Sequence, residues 1–483
     1  MTEDRNFLIK QMEENLHKMR EKGVDPYKYS YEVTHNISEI LKDPEQFIEK
    51  EPVSLAGRIM SKRRHGKVMF LDILDEDLQM QVYMRKDEIG EDNYEIAKLL
   101  DIGDIVGVTG PIFKTRTGEL TVKTSAFEIL SKSIRPMPEK FHGLKDKEIR
   151  YRKRYLDLIM NEKSKETFIR RAQIIDTIRN TLKEYDYLEV ETPILQPIYG
   201  GAFAEPFVTH HNSLDMDLYL RIADELYLKR LIIGGFNRVF EFAKDFRNEG
   251  IDRTHNPEFT QVEFYQAYAD YNDMMELVEE IFDRLVPQKK ITYQDNELDF
   301  TRPWQRIDFY DSIEEATGHD LKGKSVEELK GIAEELGIDI EKKKTFGKII
   351  DAIFEETVQN KIINPSFIVN HPFEISPLAK KHRGKEGVVE RFEPVIAGME
   401  IGNAFSELND PIEQKDRFIT QVEERKSGDS EAFDMDADFI EAISQGMPPT
   451  GGVGLGIDRI VMLLTDNPSI RDVLLFPLLR PEK

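Results

Sequence analysis

The chain has no cysteine, which excludes disulfide staples, thiolate zinc sites and cysteine nucleophiles. It has no uninterrupted apolar stretch of about eighteen residues, the length that a membrane-spanning helix requires. The opening residues, Met1-Thr-Glu-Asp-Arg5, lack the basic-then-apolar layout of a secretory signal. These absences predict a cytoplasmic protein with no membrane segment. Internal repeats and low-complexity tracts are missing as well. One common nucleotide loop is missing too: Gly-x-Gly-x-x-Gly fails at Ile457, five residues after Gly452. A nucleotide site on that glycine-rich stretch must be of another design.

What remains is a long, charged chain. Its 483 residues exceed one ordinary domain and suffice for two or three. Charged residues make up 33% and hydrophobic residues 40%, the balance of a globular protein. The net charge of −24 opposes nucleic acid over most of the surface, since phosphate contacts supply most of that affinity. Two basic clusters stand against that background, Ser61-Lys-Arg-Arg-His-Gly-Lys67 and Arg150-Tyr-Arg-Lys-Arg154. An acidic body with two basic patches can hold an RNA at defined places and repel it elsewhere. Solvated surface charge is the plainer alternative for each cluster.

Along the chain, Phe7, Leu8, Met12, Leu16 and Met19 fall at helical spacing before Gly23. A short second helix is expected between residues 31 and 50. From Val53 to Leu130 the pattern turns to short β-rich runs, 53–60, 68–74, 78–84, 105–110 and 120 onward. Thr117-Gly118 reads as a hairpin turn, and a helix over 94–100 separates the third run from the fourth. Five strands with a helix after the third fit a five-stranded β-barrel of the oligonucleotide-binding type. Phe70 and Gln81 would lie beside the basic cluster that contains Arg63. An exposed aromatic can stack an unpaired base and an amide can read its edge, while a core role competes for Phe70.

The Pro-containing linker Ser131–Pro138 sets a boundary, giving domains of 1–138 and 139–483. A long amphipathic helix carries Phe168, Ile169, Ile174, Ile175, Ile178 and Leu182, and a strand over 187–192 stops at Pro193. Residues 311–361 read as an inserted helical subdomain, with a capping box at Ser325 and Glu328.

The densest chemistry lies between Phe246 and Tyr265, where Arg247, Glu249, Arg253, His255, Glu258, Phe259, Glu263 and Tyr265 crowd together. The layout predicts two strands joined by a charged loop. On a strand, residues an even number apart share a face, so Arg247 and Glu249 point one way. Phe259, Gln261, Glu263 and Tyr265 likewise line one trough. A guanidinium suits phosphate, an aromatic face suits a purine, and a buried carboxylate suits a ligand cation. A solvated hairpin with Phe259 in the core is the bland alternative. Glu393, Glu400 and Glu407 recur every seven residues, but Pro394, Gly398 and Gly402 oppose a helix. As a strand, Asn403, Phe405 and Glu407 share a face, and a bulge at Gly402 would re-aim Glu400. Solvated carboxylates compete with magnesium ligands here. A glycine-rich strand, Gly451-Gly-Val-Gly-Leu-Gly456, runs into a helix that carries Arg459.

Phe246-Arg247-x-Glu249 followed by His255-Asn-Pro-Glu-Phe259 resembles the second signature motif of class II aminoacyl-tRNA synthetases. The long helix, strand and Pro193 resemble the first motif, and Gly451–Gly456 with Arg459 the third. With a barrel ahead of them, the three resemble the subgroup serving lysine, aspartate and asparagine. Gly143-Leu…Arg150-Tyr-Arg, Thr209-His-His-Asn, Glu225-Leu-Tyr-Leu-Lys-Arg230, Glu400-Ile-Gly-Asn-Ala-Phe-Ser-Glu-Leu-Asn-Asp410 and Met447-Pro-Pro-Thr-Gly-Gly452 are similar to its lysine-specific branch.

That resemblance implies an α+β fold: an oligonucleotide-binding barrel, then an antiparallel-sheet catalytic domain with the helical insertion. It implies a homodimer that joins L-lysine to tRNA through a lysyl-adenylate made from ATP. By position, Arg247, Glu249, His255, Phe259 and Arg459 would bind ATP, with Arg247, Glu249, His255 and Arg459 catalytic. Gly201, Glu225, Glu263, Tyr265, Asn403, Phe405 and Glu407 would hold lysine, Glu393 and Glu400 magnesium, and Arg63, Phe70 and Gln81 the anticodon. An acid-rich pocket fits an ammonium side chain on physical grounds too. The family usually has Arg where this chain has Glu205 and Pro where it has Asp224. A ligase that lysylates protein, and a non-catalytic RNA-binding module, are the rival readings.

Overall fold

The structure is a computed structural model that describes residues 2–138, 144, 146–341, 343, 345–426 and 435–481. It divides into two compact units, Met1–Arg150 with Tyr155–Glu162, and Tyr151–Arg154 with Lys163–Lys483.

The first unit opens on a helix, Thr2–Glu21, which buries Met12, Leu16 and Met19 and leaves Phe7 and Leu8 exposed. A short helix over Ile37–Lys42 follows, as expected. Seven strands come next: β1 Val53–His65, β2 Val68–Asp75, β3 Leu78–Arg85, β4 Ile105–Gly110, β5 Ile112–Lys114, β6 Leu120–Lys123 and β7 Ala126–Ser131. Their order is β5-β6-β3-β2-β1-β4-β7. The five expected strands are present, joined by the three-residue β5 and by β7. The helix after β3 spans Glu91–Lys98. Strand β1 is longer than its apolar pattern, because pairing with β2 continues through the basic cluster to His65↔Val68. Alternation decides the faces: Met69, Leu71 and Ile73 enter the core, so Phe70 points outward.

The second unit begins with the helix Glu162–Glu184, whose Ile174, Ile178 and Leu182 are fully buried. Its strands are β8 Leu188–Glu189, β9 Leu195–Gln196, β10 Val208–His211, β11 Met216–Leu220, β12 Arg238–Phe246, β13 Glu258–Ala267, β14 Lys290–Tyr293, β15 Asn296–Asp299, β16 Gln305–Asp308, β17 Ser366–Val369, β18 Arg391–Ile396, β19 Met399–Glu400, β20 Gly402–Ser406 and β21 Thr450–Gly456. The main sheet runs β16-β17-β18-β20-β21-β13-β12-β8, with β19 on β18. All its pairs are antiparallel except β12–β8 and β16–β17. The predicted strand at 187–192 shrinks to Leu188–Glu189. Helices Phe309–Thr317, Val326–Glu335 and Phe346–Thr357 pack around Phe309, Leu329, Ile350 and Phe354, the first of them starting two residues ahead of position 311.

Strand β13 sits at the middle of this architecture, buried on both faces. Val262 and Phe264 go into the core against Phe240, Ile178 and Phe282. Each such side chain contributes about 1.5–3 kcal/mol by leaving water. The other parity of β13 is polar, and it faces a cavity.

Candidate active site

The cavity encloses about 310 Å³ between β13, β20, β21 and the loop after β12. Phe259, Gln261, Glu263 and Tyr265 line it from β13, as the alternation predicts. The hairpin is as expected, Phe246 pairing with Glu258 and the charged loop between them. Arg247, Glu249 and His255 reach in from that loop, and the Arg247 guanidinium lies 5.0 Å above the Phe259 ring. Asn403 and Phe405 on β20 stand in register with Glu263 and Tyr265 across Gly454 and Gly452 of β21 and continue the same lining, and Glu407 follows them. Gly201 and Glu225 join from the side, the latter opening the helix Glu225–Ile233.

Glycine makes room at β21. A Cβ on Gly452 would stand 2.2 Å from Glu407 Oε1 and 2.4 Å from Tyr265 Cε1. Only a bare backbone fits there. After β21 the chain enters the helix Ile457–Leu464, and Arg459 donates to the Glu400 carbonyl and approaches Glu400 Oε2 to 3.6 Å. Arg459 Nη2 also lies 3.2 Å from His255 Nε2, while His255 Nδ1 is 2.8 Å from Asp252 Oδ2. Arg459 and His255 stand at one end of the cavity, with Glu225, Glu263 and Glu407 toward the other.

The bulge expected near Gly402 is present. Pairing of Val395 with Glu400 gives way to pairing of Arg391 with Phe405, one residue out of step. The reversal before it is a tight turn at Ala397 and Gly398, both at positive φ. It directs Glu400 into the cavity, whereas Glu393 lies behind the lining. Glu393 accepts from Arg391 at 2.5 Å and meets His371 Nε2 at 3.3 Å. Burial would raise its pKa, but Arg391 and His371 bring it down to about 2. Glu400 is pushed the other way, by burial and by Glu393. One open carboxylate backed by another fits a hard cation that uses few protein oxygens.

The acidic end is buried and strained electrostatically. Glu263 accepts from Gln261 at 2.5 Å and from the Tyr265 hydroxyl at 2.9 Å. Burial, then Asp245 and Glu225, push its pKa up to about 8. Carboxylate oxygens of Asp224, Asp245 and Glu263 all lie within 4.8 Å of one another. Three charges that close do not persist together. Asp224 has no exposed surface and, among the described residues, no donor to either oxygen, and burial, then Glu263, raise its pKa well above the usual range. Asp224 therefore keeps its proton.

Sequence reasoning overlooked Lys229, Arg391 and His371. Lys229 is fully buried and its ammonium meets both Glu225 and Glu407. The Glu225–Lys229 spacing of one helical turn was the available signal. Arg391 donates to Asn403 Oδ1 at 3.0 Å as well as to Glu393.

On the first unit's sheet, Arg63, Phe70 and Tyr83 are directly opposed on β1, β2 and β3, so their side chains share the outward face. Ser61, Asp72 and Gln81 form the next row. The Phe70 and Tyr83 rings are 5.3 Å apart, and Phe113 lies 6.0 Å beyond. Tyr83 and Phe113 extend the aromatic surface that the sequence indicated by Phe70 alone. Gln81 is engaged, donating to Glu119 at 2.7 Å and accepting from Thr121 at 3.0 Å.

Residues 146–480 match the family described as tRNA synthetases class II (D, K and N), and residues 53–130 match the OB-fold nucleic acid binding domain. The chain therefore belongs to the class II tRNA synthetases of the aspartate, lysine and asparagine group. Its relatives narrow that group. It is 53% identical over 481 residues to the lysine–tRNA ligase of Carboxydothermus hydrogenoformans, an alignment covering 99% of this chain and 98% of the relative. The lysine–tRNA ligase of Clostridium novyi is 52% identical, over 99% of this chain and 95% of the relative. That of Pelotomaculum thermopropionicum is 52% identical, over 100% and 96%.

Proposed function

We propose that this chain is an ATP-dependent lysine–tRNA ligase. It activates L-lysine with ATP, giving lysyl-adenylate and pyrophosphate, and then transfers lysine to the 3′ end of its tRNA. The observation that carries the choice of amino acid is Glu407. It is 1% exposed and lines the cavity, and among the described residues its Oε1 receives no donor. An unsatisfied buried acceptor is costly, and a lysine ammonium would satisfy it. An aspartate side chain would require a cation in that place.

The cavity's two ends divide the work. Phe259 stacks the adenine, and Arg247 binds the α-phosphate and the lysine carboxylate. Glu249 lies on the ATP side, and His255 with Arg459 meets the outer phosphates. Glu225, Glu263, Tyr265, Asn403, Phe405 and Glu407 surround lysine, with the Gly201 backbone at the edge. The lysine carboxylate oxygen attacks the α-phosphorus in line as the bond to pyrophosphate breaks. A ribose hydroxyl of the tRNA then takes the acyl group and AMP leaves. Positioning and charge neutralisation by Arg247 and Arg459 lower the barrier, with little covalent chemistry left to the protein. Glu400, backed by Glu393, would hold magnesium, which supplies neutralisation of phosphate charge when bound.

Residues 1–138 form the tRNA-reading domain through Arg63, Phe70 and the face they share, with Gln81 in the adjoining row. Residues 139–483 form the catalytic domain with its 311–361 insertion. The protein works in the cytoplasm as a homodimer, which the exposed Ile169, Leu188 and Leu195 support.

ATP–pyrophosphate exchange with each amino acid separately, without tRNA, tests the reading. Exchange with lysine alone is expected. Exchange with aspartate or asparagine would overturn the pocket, and loss of none in Arg247→Ala would overturn the phosphate assignment.

A further inference from the structure

We infer that Lys229 is a positioning residue for amino-acid binding: an internal ammonium that orients Glu225 and Glu407 and favours their ionised forms while leaving Glu407 Oε1 free for the substrate. The inference rests on reading the acidic end of the cavity as the lysine pocket.

Lys229 has 0% side-chain exposure and stands one turn along the helix from Glu225. Its Nζ touches Glu225 Oε1 and Glu407 Oε2, so it ties the helix Glu225–Ile233 to the segment after β20. Both carboxylates line the cavity and Lys229 does not. The ammonium thus sits behind the wall, out of the substrate's space. Burial would pull its pKa down, but Glu225 and Glu407 more than offset that and raise it, so Lys229 stays charged.

The need for such a cation follows from the surroundings. Facing the pair are Asp224 ahead of the helix, Glu263 and Tyr265 on β13, and Arg391 on β18. Carboxyl groups predominate, and the Arg391 guanidinium is already engaged with Glu393 and Asn403. Two buried carboxylates without a cation do not both stay ionised, and one takes up a proton. A lysine substrate would then meet a neutral carboxyl, and binding would require that proton to leave. Burial pushes Glu407 up to about 8, and Lys229 is the largest influence drawing it back down. The contact thus favours a charged pocket before the substrate arrives, which is preorganisation rather than a new contact.

The test is the lysine KM in ATP–pyrophosphate exchange, read as the ratio of variant to parent from neutral to mildly alkaline pH. The window stays below the lysine side chain's own pKa of about 10.4. In Lys229→Met the ratio is expected to be about tenfold or more at neutral pH, one pKa unit of lost carboxylate ionisation. It should fall toward one as alkali restores the charge, while the KM for ATP stays unmoved. Lys229→Arg, which keeps the cation, should hold a ratio that does not change with pH. If Lys229→Met fails to melt cooperatively, Lys229→Gln takes its place with the same expectation. A pH-independent ratio in the neutral variant, a lysine KM equal to the parent's, or a pH-dependent ratio in Lys229→Arg overturns the inference. Absence of lysine-dependent exchange in the parent overturns the reading of the cavity itself, and the inference with it.

Discussion

Replacing Gly452 with alanine adds one methyl group where there is no space for it. The new Cβ would stand 2.2 Å from Glu407 Oε1 and 2.4 Å from Tyr265 Cε1, against an ordinary contact of about 3.5 Å. Something must retreat by roughly 1 Å. Glu407 cannot do so freely, because it is buried against Lys229. Tyr265 is no freer, since its hydroxyl is committed to Glu263 and its ring to the interior. Strand β21 is central and paired on both sides, at Tyr265↔Gly452 and Phe405↔Gly452, so the backbone cannot simply bow. A misplacement of about 1 Å in a group that positions substrate costs on the order of 10²-fold. Gly452→Ala is therefore expected to lower kcat/KM for lysine by about two orders of magnitude. The KM for ATP should move little, because Phe259 and Arg459 stand at the other end of the cavity. Overpacking also costs about 1–3 kcal/mol of stability, so thermal melting is measured on the same preparation. An alanine variant whose lysine kinetics equal the parent's would refute the close approach of Glu407, Tyr265 and β21.

Stability should depend on pH through Glu263, whose pKa rises from 4.5 to about 8 on folding through burial and then Asp245 and Glu225. Its contribution is complete below 4.5 and is lost as pH rises through about 8. Melting of the free protein should fall over that window, less steeply with lysine present or in Glu263→Gln; identical slopes in the variant and the parent would rule out this source. Phe70→Ala should weaken tRNA charging by roughly tenfold in the KM for tRNA, the value of one base stack. Its tRNA-independent exchange should be unchanged, and unaltered charging would remove Phe70 from the RNA face. Arg221 is buried and donates to Glu241 at 2.6 Å, so Arg221→Met strands a charge and should cost about 3–5 kcal/mol. Urea denaturation measures this, and a loss below the range of an exposed pair would show that Glu241 finds another partner.

The sequence was most informative where period and chemistry coincide. On β13 the even-numbered spacing of Phe259, Gln261, Glu263 and Tyr265 was enough to place all four on one wall. Glycines at 398 and 402 argued against a helix through Glu393 and Glu400, and the turn and bulge bear this out. Elsewhere local pattern had less to say. The ends of β1 were set by pairing with β2 across a basic cluster, which no hydrophobic pattern marks. Tyr83 and Phe113 join Phe70 in one tilted, edge-on aromatic row only because three strands bring them together. Glu393 and Glu400 look equivalent in sequence, yet strand parity and a bulge turn one into the cavity and leave the other on Arg391 and His371. Such differences arise from contacts between residues distant in sequence.

A pocket for a cation poses a problem that its empty state must solve. Carboxylates gathered to attract an ammonium repel one another and favour protonation when buried, and a protonated pocket attracts nothing. This chain answers with fixed charges of its own placed behind the wall. Arg221 holds Glu241 and lies 3.4 Å from Asp245, and Lys229 holds Glu225 and Glu407. Asp224, which touches no cation among the described residues, keeps a proton instead and so adds no further negative charge beside Glu263. Glu263 is then left with neutral donors, Gln261, Tyr265 and the protonated Asp224, and Glu407 with one open oxygen. Those are the groups on which an incoming ammonium can act. Selectivity for lysine on this account depends as much on the cations that never touch the substrate as on the acids that do.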